Sequence, residues 1–331
     1  MIVVEVPRDI NGLVRWGART LADAGVGSPR VDAELLLAHV LGVDAGEVRR
    51  RVILGTPVRY DARSRFADVV ARRAAREPLQ HLTGVAPFRH LELAVGPGVF
   101  VPRPETERVA QRAIDEALGV VRAPEPRGPR SPETSGEDAD TGTRGSRPVV
   151  VDLCTGSGAI ALAVATEVPG SRVYAVELDA AAHEWAARNI GAVGAAHGSA
   201  ELVRLVRGDA RTALGELDGG VDVVVSNPPY VPPGAVPRDA EVAEHDPAVA
   251  LYGLGADGLE VPRGIVAAAA RLLRPGGLFV MEHAEVQAAA ARAMVDRTGA
   301  FEPAVTAEDL TGRPRMVVAR RTSRDESASG S

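Results

Sequence analysis

The sequence is poor in cysteine and contains no lysine. Cys154 is the single cysteine in 331 residues, which excludes an internal disulfide and any metal site built from several cysteines. We therefore expect a reducing compartment and no bound metal. All 38 cationic side chains are arginine, a feature of composition from which we derive no function.

Long hydrophobic runs are also missing. No stretch reaches the roughly 18 apolar residues that span a bilayer, and the first residues lack the basic and apolar regions of a secretory signal. We expect a cytoplasmic protein that does not enter membranes. The net charge of -6 provides no overall positive field for nucleic acid, so no direct nucleic-acid binding is expected.

The length and apolar content predict two domains. Helical periodicity over about 10–76 indicates a small bundle, with Ser28 as an N-cap and Pro29 in the first turn of the following helix. The arginine pair Arg72 and Arg73 is typical of a solvated helix face. The predicted divisions are a helical domain at 1–78, a β-hairpin linker with a connecting helix at 79–121, a disordered insertion at 122–147, an α/β domain at 148–321 and a disordered tail at 322–331.

Strand-like and helical segments alternate from residue 149 onward, which predicts a mostly parallel sheet covered by helices on both faces. Strands are expected at 149–153, 172–176, 202–206, 221–226, 277–282 and 314–320, the last antiparallel and paired with a piece near 301–305. Helices are expected at 159–167, 180–193, 258–273 and 284–299. The fold class is thus α/β with seven strands.

The first chemical motif is the turn that follows the strand at 149–153. Gly156 and Gly158 let the backbone approach a ligand, and the helix beginning at Ala159 offers its N–H groups to a carboxylate. By itself, this spacing also fits any tight turn from strand to helix.

An acid, Glu177, ends the next strand about 20 residues later, where it can accept the hydroxyl groups of a ribose. Asp179 competes for that role, but its place before Ala180 favours a helix cap. Asp209 follows the third strand and is suited either to the adenine amino group or to capping a short helix. These features indicate an adenosine-type ligand and leave open a dinucleotide or S-adenosylmethionine.

The strand at 221–226 runs into Asn227, Pro228, Pro229 and Tyr230. The prolines remove N–H donors, so the loop presents oxygen acceptors. The Asn227 side-chain oxygen and the Pro228 carbonyl can accept both hydrogens of a planar –NH₂ group, and Tyr230 can stack on it. Acceptors that favour a pyramidal, increasingly positive nitrogen stabilise the transition state of methyl transfer.

From Arg76 to Arg320 the sequence resembles the HemK/PrmC family of release-factor glutamine methyltransferases. Besides Asn227 to Tyr230, the resemblance rests on Val101 to Glu107, Asp152 to Ala161, Glu244 to Leu251 and Asp309 to Arg315. It implies a Rossmann-like S-adenosylmethionine-dependent methyltransferase domain after a helical substrate-binding domain. The implied substrate is the glutamine of the Gly-Gly-Gln motif in class-I peptide chain release factors, and the implied product of the cofactor is S-adenosylhomocysteine.

The resemblance assigns roles residue by residue. Asn227, Pro228 and Tyr230 are expected to be catalytic, and these three with Pro229 to bind substrate. The residues expected to bind the cofactor are Cys154, Thr155, Gly156, Ser157, Gly158, Glu177, Asp209, Ala210 and Asn227. The segment from Phe100 to Thr106 is expected beside both ligands, and the protein is expected to be a monomer.

Three residues depart from the family pattern. Cys154 and Ala284 stand where glycine is usual, and Ala210 where an aromatic residue is common. A positive φ at position 154 would cost about 1–2 kcal/mol.

Two alternatives remain. Adenine presents the same –NH₂ geometry, so an adenine-N6 methyltransferase acting on DNA or RNA is the second hypothesis. The third is a cofactor-binding scaffold without catalysis.

Overall fold

Five helices occupy the N-terminal part of the chain, in a computed structural model that describes residues 6–122, 147–199, 201–237 and 239–323. They are α1 (Ile10–Asp23), α2 (Pro29–Leu41), α3 (Ala45–Leu54), α4 (Tyr60–Ala74) and α5 (Leu79–Thr83). Leu13, Leu36 and Phe66 are fully buried in their shared core. The predicted bundle is confirmed.

Ser28 is the N-cap residue of α2 and Pro29 lies in its first turn, as predicted. The Ser28 backbone, with φ -127 and ψ 56, is outside the extended conformation that brings an N-cap oxygen to the first N–H groups, and its side chain makes no capping bond. Asp9 and Asp44, with extended backbones, do cap α1 and α3.

The solvated face predicted for Arg72 and Arg73 holds for one of them. Arg72 is exposed and pairs with Glu77, whereas Arg73 is buried and pairs with Asp32 and Glu241, each at 2.8 Å. A buried guanidinium must be matched by acceptors. Two carboxylates from distant parts of the sequence supply them.

The described chain forms two units. One comprises Met1–Ala86, Ala94–Val101 and Val236–Asp246, and the other Pro87–Leu93, Pro102–Ala235 and Pro247–Ser331. The boundary passes through a hairpin of β1 (Val85–Phe88) and β2 (Leu91–Ala94). Residues 123–146 of the predicted disordered insertion and 324–331 of the predicted tail lie outside the described residues.

The second unit contains a seven-stranded sheet in the order β5-β4-β3-β6-β7-β9-β8. Its strands are β3 (Val149–Leu153), β4 (Arg172–Glu177), β5 (Arg204–Arg207), β6 (Val221–Ser226), β7 (Leu273–Glu282), β8 (Val305–Glu308) and β9 (Pro314–Arg320). The pairs from β5 to β7 are parallel, and β9 runs antiparallel to β7 and β8. The predicted α/β class, strand number and antiparallel end are confirmed.

Seven further helices follow along the chain within the described residues, of which α9 belongs to the first unit. They are α6 (Thr106–Arg122), α7 (Ala159–Glu167), α8 (Ala180–Ala196), α9 (Ala240–His245), α10 (Ala248–Leu251), α11 (Glu260–Leu272) and α12 (Ala288–Asp296). Strand β7 begins four residues earlier than predicted, because Leu273 pairs with Val221 before a register shift. No helix in the described part of the chain is long and apolar enough to cross a membrane.

Both faces of the sheet are covered. Along β7, Leu278 and Val280 belong to one apolar core, and Phe279 and Met281 to the other. Successive strand residues point to opposite faces, so a strand buried on both sides has few polar positions. Three polar residues, Glu177, Ser226 and Glu282, stand at the last positions of β4, β6 and β7.

Candidate active site

Four strand ends lie side by side at the carboxyl edge of the sheet. The hydrogen-bond register pairs Leu153 with Val176, Leu153 with Ser226, and Ser226 with Met281. The residues that come next on these strands are Cys154, Glu177, Asn227 and Glu282. Strand order reverses between β3 and β6, and ligands of open α/β sheets bind at such a switch point.

A tight turn joins β3 to α7. Cys154, Gly156 and Gly158 have φ of 63, 57 and 86, the left-handed region that disfavours side chains. A Cβ at Gly156 would meet nothing within 4 Å, so the conformation and not crowding requires glycine there. Because Cys154 has a Cβ, its positive φ costs the strain of about 1–2 kcal/mol that the sequence predicted for this conformation.

Glu177 contacts this turn directly. Its carboxylate accepts hydrogen bonds from the backbone N–H of Gly156 at 2.8 Å and of Asp179 at 2.9 Å. Burial raises its pKa, and the backbone donors oppose that shift. A ribose with two hydroxyl donors fits a carboxylate that has lost its water, so the turn and Glu177 together suit an adenosine-type cofactor.

The structure separates the two acids that compete as ribose ligands. Asp179 accepts from the N–H groups of Ala181 at 2.9 Å and Ala182 at 3.0 Å. It therefore caps α8, as its sequence position indicated.

Asp209 lies beyond the end of β5, in a turn that leads into no helix. Its carboxylate accepts from the Arg211 backbone N–H at 2.9 Å and pairs with the Arg211 guanidinium at 2.6 Å. Those bonds lower the pKa of Asp209, with the guanidinium as the main cause. Ala210 is buried against the core on the Phe279 side of the sheet. Asp209 thus caps one isolated turn, closed by the Ala213 N–H donating to the Asp209 carbonyl at 2.9 Å, and not the short helix that the alternative required.

The loop from Asn227 to Tyr230 is held at both ends. The Asn227 Nδ2 donates to Thr106 Oγ1 at 3.3 Å, and Thr106 Oγ1 donates to Glu282 Oε2 at 2.8 Å. The Tyr230 hydroxyl donates to Glu282 Oε1 at 3.1 Å. One buried carboxylate thus connects the first and last residues of the loop.

The pKa of Glu282 differs from that of an ordinary glutamate. Burial raises its pKa to about 7, against the lowering effects of Thr106, Tyr230 and Arg315. Burial also raises the pKa of the Tyr230 hydroxyl, which keeps it neutral and able to donate.

A second segment packs against the same loop. A Cβ on Gly258 would lie 2.6 Å from the Tyr230 carbonyl oxygen, and one on Gly253 would lie 2.6 Å from that of Pro229. The Gln287 Nε2 donates a hydrogen bond to the Tyr230 carbonyl oxygen at 2.8 Å. Only glycine permits this approach, which fixes the backbone of the loop.

The three departures from the family pattern have different consequences. Cys154 carries the strained φ, while Ala284 has φ -65 and ψ 146, which any residue adopts. Burial raises the pKa of the Cys154 thiol, so a thiolate is disfavoured. In the described ranges, no group of three or more His, Cys, Asp or Glu side chains could hold a metal ion.

Comparison with known proteins identifies the family. Residues 12–84 match the model of the PrmC N-terminal domain, and residues 142–243 match that of the methyltransferase small domain. A release factor glutamine methyltransferase from Streptomyces coelicolor is 48% identical, over 93% of this chain and 96% of that protein. The chain belongs to the HemK/PrmC family of release factor glutamine methyltransferases. The predicted resemblance is confirmed.

The chain is also similar to other methyltransferases. The release factor glutamine methyltransferase of Bifidobacterium longum is 42% identical, over 94% of this chain and 99% of that protein. A 4-amino-L-phenylalanine/4-methylamino-L-phenylalanine methyltransferase from Streptomyces pristinaespiralis is 39% identical, over 87% and 85% of the two chains. A solved methyltransferase from Pyrococcus furiosus has a TM-score of 0.45 at 18% identity, covering 78% of this chain and 98% of that one.

The structure brings together most of the predicted site. The turn at 154–158, Glu177 and Asn227 meet at the ends of adjacent strands, and Thr106 joins them through Asn227. Glu282 was not among the predicted site residues. Like Glu177, it is an acid that ends a buried apolar strand, and that position was the signal that could have identified it.

Proposed function

We propose that this S-adenosylmethionine-dependent enzyme methylates the side-chain amide nitrogen of the glutamine in the Gly-Gly-Gln motif of class-I peptide chain release factors. Family membership supports this substrate. The observation that carries the proposal is the placement of Asn227 at the end of β6, next to the β3 turn and fixed by Thr106 at 3.3 Å.

Three parts of the chain would hold the cofactor. Its amino-acid part would contact the backbone of the turn formed by Cys154, Thr155, Gly156, Ser157 and Gly158. Glu177 would accept hydrogen bonds from its ribose hydroxyls, and Asp209 and Ala210 would lie at the adenine. When bound, S-adenosylmethionine supplies a methyl group on a positively charged sulfur.

The substrate amide donates one N–H to the Asn227 side-chain oxygen and the other to the Pro228 carbonyl, while Pro229 and Tyr230 flank its plane. These acceptors favour a tetrahedral nitrogen with positive charge. Methyl transfer would form the nitrogen–carbon bond and break the sulfur–carbon bond, with S-adenosylhomocysteine as the product of the cofactor. The amide proton then leaves to water, so no strong base is required.

Labelled cofactor tests the proposal against its competitors. The enzyme is incubated with a class-I release factor, with DNA and RNA, and with 4-amino-L-phenylalanine. We expect label in the release factor, and none after its Gly-Gly-Gln glutamine is replaced by alanine. Label found only in nucleic acid or only in the free amino acid would overturn the proposed substrate.

Binding and turnover together separate the enzyme from a scaffold. Asn227→Ala should abolish transfer while calorimetry shows nearly unchanged cofactor affinity. A scaffold would bind the cofactor without turnover in either form.

A further inference from the structure

We infer that Glu282, acting through Thr106, is a positioning residue that fixes which way the Asn227 amide faces. The inference rests on the proposed function, because the orientation matters only if Asn227 accepts a hydrogen bond from the substrate. Glu282 would contribute through Thr106 and Asn227, without touching the substrate.

The hydrogen-bond chain ends at Glu282, which is ionised above its pKa of about 7. In that form Glu282 has acceptors only, and its two oxygens receive the hydroxyl hydrogens of Thr106 at 2.8 Å and Tyr230 at 3.1 Å. A threonine hydroxyl has a single hydrogen. Once that hydrogen is donated to Glu282, Thr106 Oγ1 can only accept.

The consequence falls on Asn227. Only the –NH₂ group of its amide can satisfy an oxygen that accepts, and Nδ2 lies 3.3 Å from Thr106 Oγ1. The amide oxygen is then turned away from Thr106 and left to accept from substrate. Without the carboxylate, the Thr106 hydroxyl is free to donate to the Asn227 oxygen, which would present –NH₂ to an –NH₂ substrate.

The fold places these groups together. Ser226 and Met281 are register partners on β6 and β7, so Asn227 and Glu282 leave neighbouring strands at the same level. Thr106, at the start of α6, is 4% exposed and Glu282 is 2% exposed. In such a dry site a hydrogen-bond chain has few competing water molecules, and its direction is set by its charged end.

Two substitutions of similar side-chain size test the hydrogen-bond chain from Glu282 through Thr106 to Asn227. Thr106→Val removes the hydroxyl, and Glu282→Leu replaces the buried carboxylate with an apolar group of similar volume, a change that folded proteins often tolerate. Each should lower kcat at least about tenfold, the scale of one lost hydrogen bond. Cofactor affinity should remain within about twofold. Thr106→Ser should restore kcat, because it restores the hydroxyl.

The double variant separates positioning from general disruption. If both residues act through one chain, Thr106→Val with Glu282→Leu should lower kcat no further than the more damaging single change. Thr166→Val is the matched control, since the Thr166 hydroxyl donates only within α7, to Leu162 at 2.8 Å and Ala163 at 3.2 Å. Multiplied losses in the double variant would overturn the inference.

A spectroscopic readout makes the inference independent of substrate. The sequence has only Asn11, Asn189 and Asn227, so ¹⁵N-asparagine labelling gives three side-chain –NH₂ signals. Thr106→Val and Glu282→Leu should shift the Asn227 pair and leave the Asn189 pair, which is bonded to the Ser157 carbonyl, unchanged. An unmoved Asn227 pair would sink the inference, whereas a wild type that fails to methylate a release factor would sink the proposed function alone.

Discussion

Glu177 Oε2 accepts a hydrogen bond of 2.8 Å from the backbone N–H of Gly156, which joins the acid ending β4 to the glycine turn ending β3. The two features come from separate parts of the sequence and meet because β3 and β4 are parallel neighbours in register. A ligand that touches one therefore also meets the other.

Replacing Glu177 by alanine should weaken cofactor binding. Loss of hydrogen bonds to a charged acceptor is expected to raise Kd by roughly tenfold to a hundredfold, measured by calorimetry with S-adenosylmethionine. Asp179→Ala is the control, because Asp179 caps α8 and its loss should cost about 1 kcal/mol of unfolding free energy with little change in Kd. The opposite ranking of the two variants would make Asp179 the ribose ligand.

Cys154→Gly should stabilise the protein. At φ 63, a residue with a Cβ carries about 1–2 kcal/mol of strain in the folded protein. Glycine removes that strain, but its greater freedom in the unfolded chain offsets roughly half of the gain. The expected gain is about 0.5–1 kcal/mol in the free energy of unfolding by urea denaturation. Cys154→Ala retains the Cβ and should give no comparable gain. Equal behaviour of the two variants would count against backbone strain at this position.

Gly258→Ala should lower activity by displacing the Asn227 to Tyr230 loop. The added Cβ would lie 2.6 Å from the Tyr230 carbonyl oxygen. Gly234 is the control: its φ is also positive, 82 against 71 for Gly258, but a Cβ there would meet nothing within 4 Å. Both variants should lose about 1–2 kcal/mol of stability from strain. Only Gly258→Ala should also lose kcat, by about tenfold or more, because a small misplacement of reacting groups is costly.

Stability should depend on the ionisation of Glu282. Its pKa in the folded protein is raised to about 7 by burial, above the roughly 4.3 of an unfolded glutamate. The protonated form is therefore the one that folding favours. Its stabilising contribution is complete below about pH 4 and is lost as pH rises through about 7.

The measurement compares wild type with Glu282→Leu. The wild type should lose on the order of 1–3 kcal/mol of unfolding free energy, relative to the variant, between about pH 5 and 8. The charged groups that act on Glu282 from neighbouring elements, Arg315 and Glu105, are present in both proteins. A difference that stays constant across this range would contradict the raised pKa.

The sheet was predictable because its strands are buried on both faces. The runs at 149–153 and 221–226 are mostly valine and leucine, and they form β3 and β6 with the predicted bounds. The start of β7 was missed because Pro275, Gly276 and Gly277 signal a turn, while the structure continues the strand through them with a register shift. Local propensity cannot reveal a pairing that the neighbouring strand imposes.

The site was predictable where polar residues follow strands, and not where contacts cross long stretches of chain. Glu177 and Asn227 stand at strand ends and were found. The bonds from Thr106 to Glu282 and from Arg73 to Glu241 join residues far apart in sequence. Arg73 looked solvated because its carboxylate partners belong to other segments. Glu282 ends a strand as Glu177 does, but its bond to Thr106 joins distant segments and has no signal in the sequence.

Mass spectrometry of a class-I release factor, after incubation with the enzyme and S-adenosylmethionine, tests whether this protein methylates the Gly-Gly-Gln glutamine; fragmentation of that peptide locates the added group. We expect one methyl group on the side-chain nitrogen of that glutamine with the wild type, and none with Asn227→Ala. A methyl group on another residue, or an unmodified peptide from a wild type that binds the cofactor, would contradict it.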